Sequence, residues 1–308
     1  MKMMEKLLQE LQTLDLNRFN ELLQEVSNQL EKERLLKKLD GLFVNEDLVY
    51  CTSSSIERCI IIGDIHGDLD TLLEIAERID IEKIKEQKAV VVFLGDYGDR
   101  GEKSLEVYYL LFKLKTILKE KIVLLRGNHE GPDDLLAQPH DLPLFFIERY
   151  GQEGYTFYLR IKKLFEKFYL AFVVLNKLIA LHGGIPSNAL SLEDIAIARK
   201  IHPKKRLLEE ILWNDPMDEY GIRESYRGAG KLFGPDITEN FLKRNNLLVV
   251  IRGHEPARFG YFLSHNGKVV TVFSRKGAPY FNEKAAYLDI NLNKLDSHED
   301  ISKFIINI

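Results

Sequence analysis

Between residues 56 and 130 the chain alternates apolar runs with short polar, glycine-bearing breaks. RCIIIGD (58–64) reads as a buried strand, 69–79 as an amphipathic helix and AVVVFLGD (89–96) as a second strand. A helical pattern follows over 103–119, then a third strand at KIVLLRGNH (121–129). This βαβαβ order predicts parallel strands joined by helical crossovers. Upstream, residues 1 to about 40 read as helix. Leu7, Leu8, Leu11, Leu22, Leu23, Val26 and Leu30 recur near i, i+3/i+4 spacing with charged residues between. That stripe is expected to pack on the main domain, with a dimer or regulatory-partner surface as the alternative. Downstream, 133–170 is mostly helical, 171–182 strand-like, 191–212 helical and 247–290 rich in β pattern. No internal repeat, low-complexity tract or linker interrupts this order.

The strand ends repeat one device. GDIHG (63–67), GDYGDRG (95–101) and GNHE (127–130) each close an apolar run with glycine beside polar side chains. In open α/β sheets ligands sit beyond the carboxyl ends of the strands, and glycine lets the backbone turn there. Asp64, His66, Asp96, Asp99, Arg100, Asn128, His129 and Glu130 are therefore expected at one rim. Asp64 and Asp96 are 32 residues apart, as are Asp96 and Asn128, about one βα unit each. Two more apolar runs end on histidine beside glycine, in LHGGI (181–185) and RGHEP (252–256), adding His182 and His254. The other histidines, His140, His202, His265 and His298, lie in polar surroundings and read as surface residues.

Composition narrows the classes. With 45% hydrophobic and 29% charged residues the chain is an ordinary globular one. Its net charge of −4 argues against nucleic acid as the main ligand. AVVVFL (89–94) and LAFVVL (170–175) are too short to span a bilayer. Met1 to Glu10 carries Glu5, Gln9 and Glu10, unlike a signal peptide's apolar core. Cys51 and Cys59 suggest no disulfide framework, so a cytoplasmic setting is expected.

The rim then poses a chemical question. Asp64 and His66, two apart on a strand end, point to one side. Alone they fit a salt bridge, an acid/base pair or two metal ligands. Five strand ends together deliver carboxylates, imidazoles, a carboxamide and a guanidinium. Burying so many like charges without a cation would be very costly. A mixed N/O donor set suits divalent ions such as Mn, Fe or Zn.

GDIHGD, GDYGDRG, GNHE, HGG and RGHE, in this order and spacing, resemble the phosphoprotein phosphatase (PPP) family of serine/threonine phosphatases, within the calcineurin-like metallophosphoesterases. The resemblance covers roughly 56–290. It includes LWNDP (212–216), like the family's LW-x-DP, and YRGAGKLFG (226–234), like its RG…FG stretch. It implies an α/β fold: a central mixed β-sandwich flanked by helices, with a dinuclear metal centre at the strand-end loops. A second, more antiparallel sheet would come from the β-rich segments after 247. Residues 1–40 would be a helical extension and 41–308 the catalytic domain. Two divalent ions, with Mn²⁺ foremost, would be held by Asp64 and His66 on one side and Asn128, His182 and His254 on the other, with Asp96 shared. Arg100 and Arg227 would hold the phosphate oxygens. His129 would be the proton donor, oriented by Asp99, and Glu130 would support its loop. The implied reaction is one-step hydrolysis of phosphoserine and phosphothreonine in proteins by metal-bound hydroxide, with no phosphoenzyme.

The chain departs from the family pattern in three places. Gly98 replaces a bulky apolar residue, which is expected to loosen the loop presenting Asp99 and Arg100. After GNHE the chain reads GPDDLLAQP. The SAPNY loop is replaced by FSRKGAPYF (273–281), with Tyr280 as the counterpart of its tyrosine. The alternatives are a hydrolase of small phosphoesters or dinucleoside polyphosphates, and an inactive phosphatase-fold scaffold. A scaffold would be expected to lose ligands or the acid, and this chain keeps them. GAGK (228–231) is no P-loop, since Ser225 and Leu232 break the motif. Arg252 is expected to touch phosphate or to pack behind the site, and Trp213 to anchor the core or rim.

Overall fold

A computed structural model describes residues 3–308. The N-terminal segment forms two helices, α1 (Met3–Gln12) and α2 (Leu16–Leu36). The single helix expected over 1–40 is interrupted because Asp15 adopts an extended backbone and its carboxylate accepts the N–H of Asn17, which starts α2 afresh. A hairpin follows, β1 (Phe43–Asn45) and β2 (Leu48–Cys51). Then come β3 (Arg58–Ile62), α3 (Leu69–Arg78), β4 (Ala89–Phe93), α4 (Ser104–Leu118) and β5 (Ile122–Leu124). Helices α5 (Leu142–Tyr150) and α6 (Gln152–Phe165) precede the hairpin β6 (Ala171–Val174) and β7 (Leu178–Leu181). Three short helices follow, α7 (Leu192–Ala196), α8 (Ala198–Ile201) and α9 (Leu207–Trp213). A small sheet is made by β8 (Asp215–Pro216), β9 (Ile222–Glu224) and β10 (Lys231–Phe233). The chain ends with α10 (Pro235–Asn245), β11 (Val249–Arg252), β12 (Tyr261–Ser264), β13 (Val269–Val272), β14 (Ala286–Asn291) and β15 (Ile305–Asn307).

Two mixed sheets form the centre. One has the order β15-β14-β3-β4-β5, and β3, β4 and β5 are parallel as their crossovers require. The other has the order β1-β2-β6-β7-β11-β13-β12. Its residues alternate in what they touch. Phe172, Val174, Leu178, Ala180, Val249, Ile251, Val270 and Val272 join the apolar core shared with β3–β5. Their neighbours Ala171, Val173, Ile179, Leu181, Val250 and Val269 pack with α7, α9 and α10. The period of two shows strands buried on both faces, one toward the partner sheet and one toward helices.

The second sheet differs from expectation in its sources. It draws on 43–51 and 171–181 as well as on the region after 247, and β14 joins the first sheet, antiparallel to β3. The N-terminal apolar stripe is used inside the molecule. Leu7, Leu11, Leu22, Leu23, Val26 and Leu30 lie in the main core. Phe19 packs edge-on against Tyr109 of α4 at 5.3 Å and, with its ring tilted, against Phe157 of α6 at 4.8 Å. Buried Lys115 of α4 pairs with buried Glu33 of α2 at 2.6 Å.

Candidate metal centre

The carboxyl ends of β3, β4, β5, β7 and β11 meet at one rim. Their loops are tied by backbone hydrogen bonds: the N–H groups of Ile65 and His66 both donate to the carbonyl of Asp96. His66, Asp96, Asp99, Arg100 and His254 all have positive φ, between 44° and 69°. Non-glycine residues in that region carry about 1–3 kcal/mol of strain each and gather at functional sites. Here the strain re-aims side chains that would otherwise follow the strands.

Asp64 is fully buried, and both of its carboxylate oxygens accept the N–H of His254 at 3.0 Å. A Cβ at Gly253 would lie 2.2 Å from Asp64 Oδ1, so only glycine permits this approach. His66 Nε2 lies 3.4 Å from Asp96 Oδ2 and 4.0 Å from Asp64 Oδ2. Its Nδ1 meets the carbonyl of Gly98 at 2.8 Å, which leaves Nε2 facing the rim. Asp96 Oδ1 lies 3.4 Å from His182 Nε2, and that nitrogen is 3.3 Å from Asn128 Oδ1. His182 Nδ1 faces the Leu94 carbonyl at 3.1 Å. His254 packs against the rings of His182 and half-buried Trp213, and its buried Nε2 has no hydrogen-bond partner. Two donor triads with atoms within 4.8 Å of one another result: Asp96, His182, His254 and His66, Asp96, His129.

The electrostatics say what this set lacks. Burial pushes the carboxyl groups of Asp64 and Asp96 up, and the negative neighbours Asp64 and Glu130 add to the effect on Asp96. Burial pushes His66, His182 and His254 well down, and for His254 the nearby Arg227 and Arg252 guanidiniums add to the effect. These imidazoles are neutral with a lone pair free. Carboxylates that resist ionising, neutral imidazoles and an orphaned buried nitrogen fit divalent cations.

A second cluster adjoins the first. His129 Nδ1 lies 2.5 Å from Asp99 Oδ2, and its Nε2 turns toward the rim, 4.0 Å from Asp96 Oδ2. His140 Nδ1 meets the same Asp99 oxygen at 2.7 Å, and its Nε2 meets the Tyr158 hydroxyl at 2.8 Å. The other oxygen, Oδ1, accepts the first N–H of α5, from Leu142, at 2.6 Å. Burial opposes the charge on Asp99, yet the hydrogen bonds from His129 and His140 hold it well below the ordinary carboxylate range. These three residues also lie within metal-ligating reach of one another. Two Nδ1 atoms at hydrogen-bond distance from one oxygen mark a proton-linked cluster instead.

Glu130 is wholly buried under the β4 loop. Oε2 accepts from the N–H groups of Asp96 (2.8 Å) and Gly127 (3.2 Å), and Oε1 from the N–H of Tyr97 (3.0 Å) and the hydroxyl of Tyr108 (2.5 Å). Arg252 is buried behind the site and donates to Asp215, Glu255 and the carbonyls of Gly183 and Asn214, so it packs and does not face the rim. Arg227 donates through Nε to Asp215 at 2.6 Å. Arg100 turns its guanidinium to the 138–141 segment, donating to the Pro139 carbonyl at 2.5 Å and to Asp141 at 3.3 Å. Tyr280 stands 5.3 Å from the His66 ring.

Three expectations need correction. His140 is not a surface residue, because Asp99 and Tyr158 bind both ring nitrogens. His265 is likewise buried, between the Thr238 hydroxyl and the Met217 carbonyl, while His202 and His298 are half-buried. Gly98 does not loosen its loop: the Tyr108 ring occupies the space, 2.6 Å from where a Cβ would be, and residues 91–99 are all buried. Arg275 carries no signal in the sequence, yet its Nη1 donates to the His66 carbonyl and its Nη2 to that of Ala278.

Residues 57–258 match the family model described as calcineurin-like phosphoesterase, and the chain belongs to that family. Its likenesses place it with the family's phosphoprotein phosphatases. It is 32% identical over 265 residues to a probable serine/threonine-protein phosphatase of Encephalitozoon cuniculi, covering 84% of this chain and 55% of that protein. It is 34% identical over 250 residues to serine/threonine-protein phosphatase 5 of Homo sapiens, covering 79% and 48%. The chain spans about half the length of the curated relatives it matches. A solved protein serine/threonine phosphatase from Saccharomyces cerevisiae, described as similar to human phosphatase PP5, aligns with a TM-score of 0.73 and 25% identity over 94% of this chain and 88% of that one. Among the described residues no helix is long and apolar enough to cross a membrane.

Proposed function

We propose that this protein is a metal-dependent phosphatase that hydrolyses phosphoserine and phosphothreonine in proteins. The observation that carries the reading is the buried donor cluster around Asp96, with His66 on one side and His182 and His254 on the other, joined through His129 to Asp99. The names of the relatives support the substrate class. We assign Asp64 and His66 to one cation and Asn128, His182 and His254 to a second, with Asp96 common to both. Manganese is the first candidate, and two unpaired, buried cysteines favour a reducing, cytoplasmic setting. When bound, the two cations supply Lewis-acid polarisation to the phosphoryl group and to water.

The chain's own groups do the rest. Arg227, braced through Nε by Asp215, keeps its two Nη groups for phosphate oxygens, for which a planar fork is suited. Phosphate draws the Arg100 fork away from the carbonyls of Gln138 and Pro139, while its backbone N–H stays on Asp141. His129, held through Nδ1 by Asp99, carries its proton on Nε2 to the leaving serine or threonine oxygen. Tyr280 closes the site on the His66 side.

The test is phosphate release from phosphoserine, phosphothreonine and phosphotyrosine peptides and from a dinucleoside polyphosphate, with Mn²⁺ and after chelation. The expected result is a metal-dependent preference for the first two. A higher kcat/KM on the dinucleotide, or turnover indifferent to chelation, overturns the proposal.

A further inference from the structure

We propose that His140 is a positioning residue for the proton donor His129, acting through the Asp99 carboxylate that both rings share. The inference rests on the assignment of His129 as the donor. Family resemblance does not supply it, because His140 lies in none of the motifs that carry the resemblance and follows the 131–139 stretch where this chain leaves the family pattern.

Asp99 Oδ1 is fixed by the N–H of Leu142 at the start of α5, where an anion is favoured by the helix end. Oδ2 then has two acceptor directions, and the two Nδ1 atoms fill both, at 2.5 and 2.7 Å. A carboxylate held at both oxygens cannot rotate, so the direction of its bond to His129 is set. That bond sets the plane of the His129 ring and the aim of Nε2. The tautomer of His140 is set from behind. Its Nε2 meets the hydroxyl of Tyr158 on α6, which can donate to it and leave the proton on Nδ1. The chain Tyr158–His140–Asp99–His129 thus joins the α5–α6 pair to the rim. Without His140, Oδ2 keeps a single donor, and its bond to His129 is free to shift toward the vacated acceptor direction. Asp141, the next residue, holds Arg100, so one short segment steadies both the acid's support and a phosphate-binding arginine.

A merely structural histidine would serve all substrates alike. A residue that aims the donor matters where the leaving group needs a proton. The experiment compares a phosphoserine peptide with p-nitrophenyl phosphate, whose phenolate leaves with less help, on Mn²⁺-loaded full-length protein. The variants are His140→Ala, His140→Phe, which keeps a ring without a donor, and His140→Asn, which keeps an N–H near Nδ1. His140→Ala and His140→Phe are expected to lower kcat on the peptide by about 10- to 100-fold and on the aryl ester by about threefold or less, with KM and metal content unchanged. His140→Asn is expected to recover most of the loss. In a His129→Ala background, His140→Ala is expected to cost nothing further, since the two act as one unit. Equal losses on both substrates, no loss, or a full additional loss in the His129→Ala background overturns the inference. If His140→Ala fails to fold, His140→Phe and its His129→Ala double variant decide. If His129→Ala itself slows both substrates equally, the donor assignment fails; if it discriminates and His140→Phe does not, this inference alone fails.

Discussion

Glu130→Gln is nearly isosteric and isolates what one carboxylate does beneath the centre. Glu130 accepts four hydrogen bonds, three of them from backbone N–H groups that can only donate. A glutamine offers one acceptor oxygen. If its nitrogen replaces Oε2, the N–H groups of Asp96 and Gly127 are both stranded. If it replaces Oε1, the Tyr108 hydroxyl can turn and accept from the amide, and only the Tyr97 N–H is stranded. The second arrangement wins, and one buried unsatisfied N–H costs about 1–3 kcal/mol. For a chain of this size that is a fall of roughly 1.5–5 °C in Tm, read by calorimetry with metal removed. A second effect is expected at the rim. The same carboxylate fixes the backbone N–H of Asp96, so its loss should weaken metal binding by about 10- to 100-fold, the usual cost of losing a ligand's support. Competition with a chelator of known affinity measures it. A variant with wild-type Tm and wild-type metal affinity would refute the claim that Glu130 holds the Asp96 loop.

Other outcomes follow from the same geometry. Asp96→Asn should lower the content of both ions at once, and elemental analysis showing one ion in the active wild type would refute the shared ligand. Chelation should lower Tm, and free metal at 100 times its Kd should restore about 2.7 kcal/mol, because the folded site binds the ion and the unfolded chain does not. Phe19→Ala should cost about 3–5 kcal/mol by opening a cavity between α2, α4 and α6, without changing metal content; a near-neutral denaturation midpoint would show that the N-terminal helices are not part of the core. Glu33→Ala should cost about as much, since it leaves the Lys115 ammonium, 1% exposed, without its counter-charge.

The rim was readable because its signal is local. Each of Asp64, His66, Asp96, Asn128, His182 and His254 lies within a few residues of the end of an apolar run, and strand-end placement is a local matter. Parallel pairing of β3, β4 and β5 followed from the crossover lengths. What failed were readings that depended on contacts far apart in sequence. His140 looks like a surface residue between Pro139 and Asp141, and only α6, 18 residues on, supplies the Tyr158 that buries it. Gly98 looks like a weak point until Tyr108 is seen to fill its space. The membership of β14 in the first sheet could not be read, because strand pairing between 58–62 and 287–291 leaves no mark in either stretch beyond its apolar pattern.

The two halves of the site are held by different kinds of structure. The proposed ligands stand on strand ends whose positions are set by two ladders of backbone hydrogen bonds. The proposed acid stands on Asp99, and Asp99 is held by α5 and by His140, which leans on α6. Those helices pack through Phe146 and Phe157 against Phe19 of α2, and α2 is fixed to α4 by the Glu33–Lys115 pair. Changes in the 131–165 region should therefore alter how the leaving group is served while leaving the ions in place. The chain can depart from the family in 131–139 without losing a proposed ligand because none of those ligands stands in that stretch.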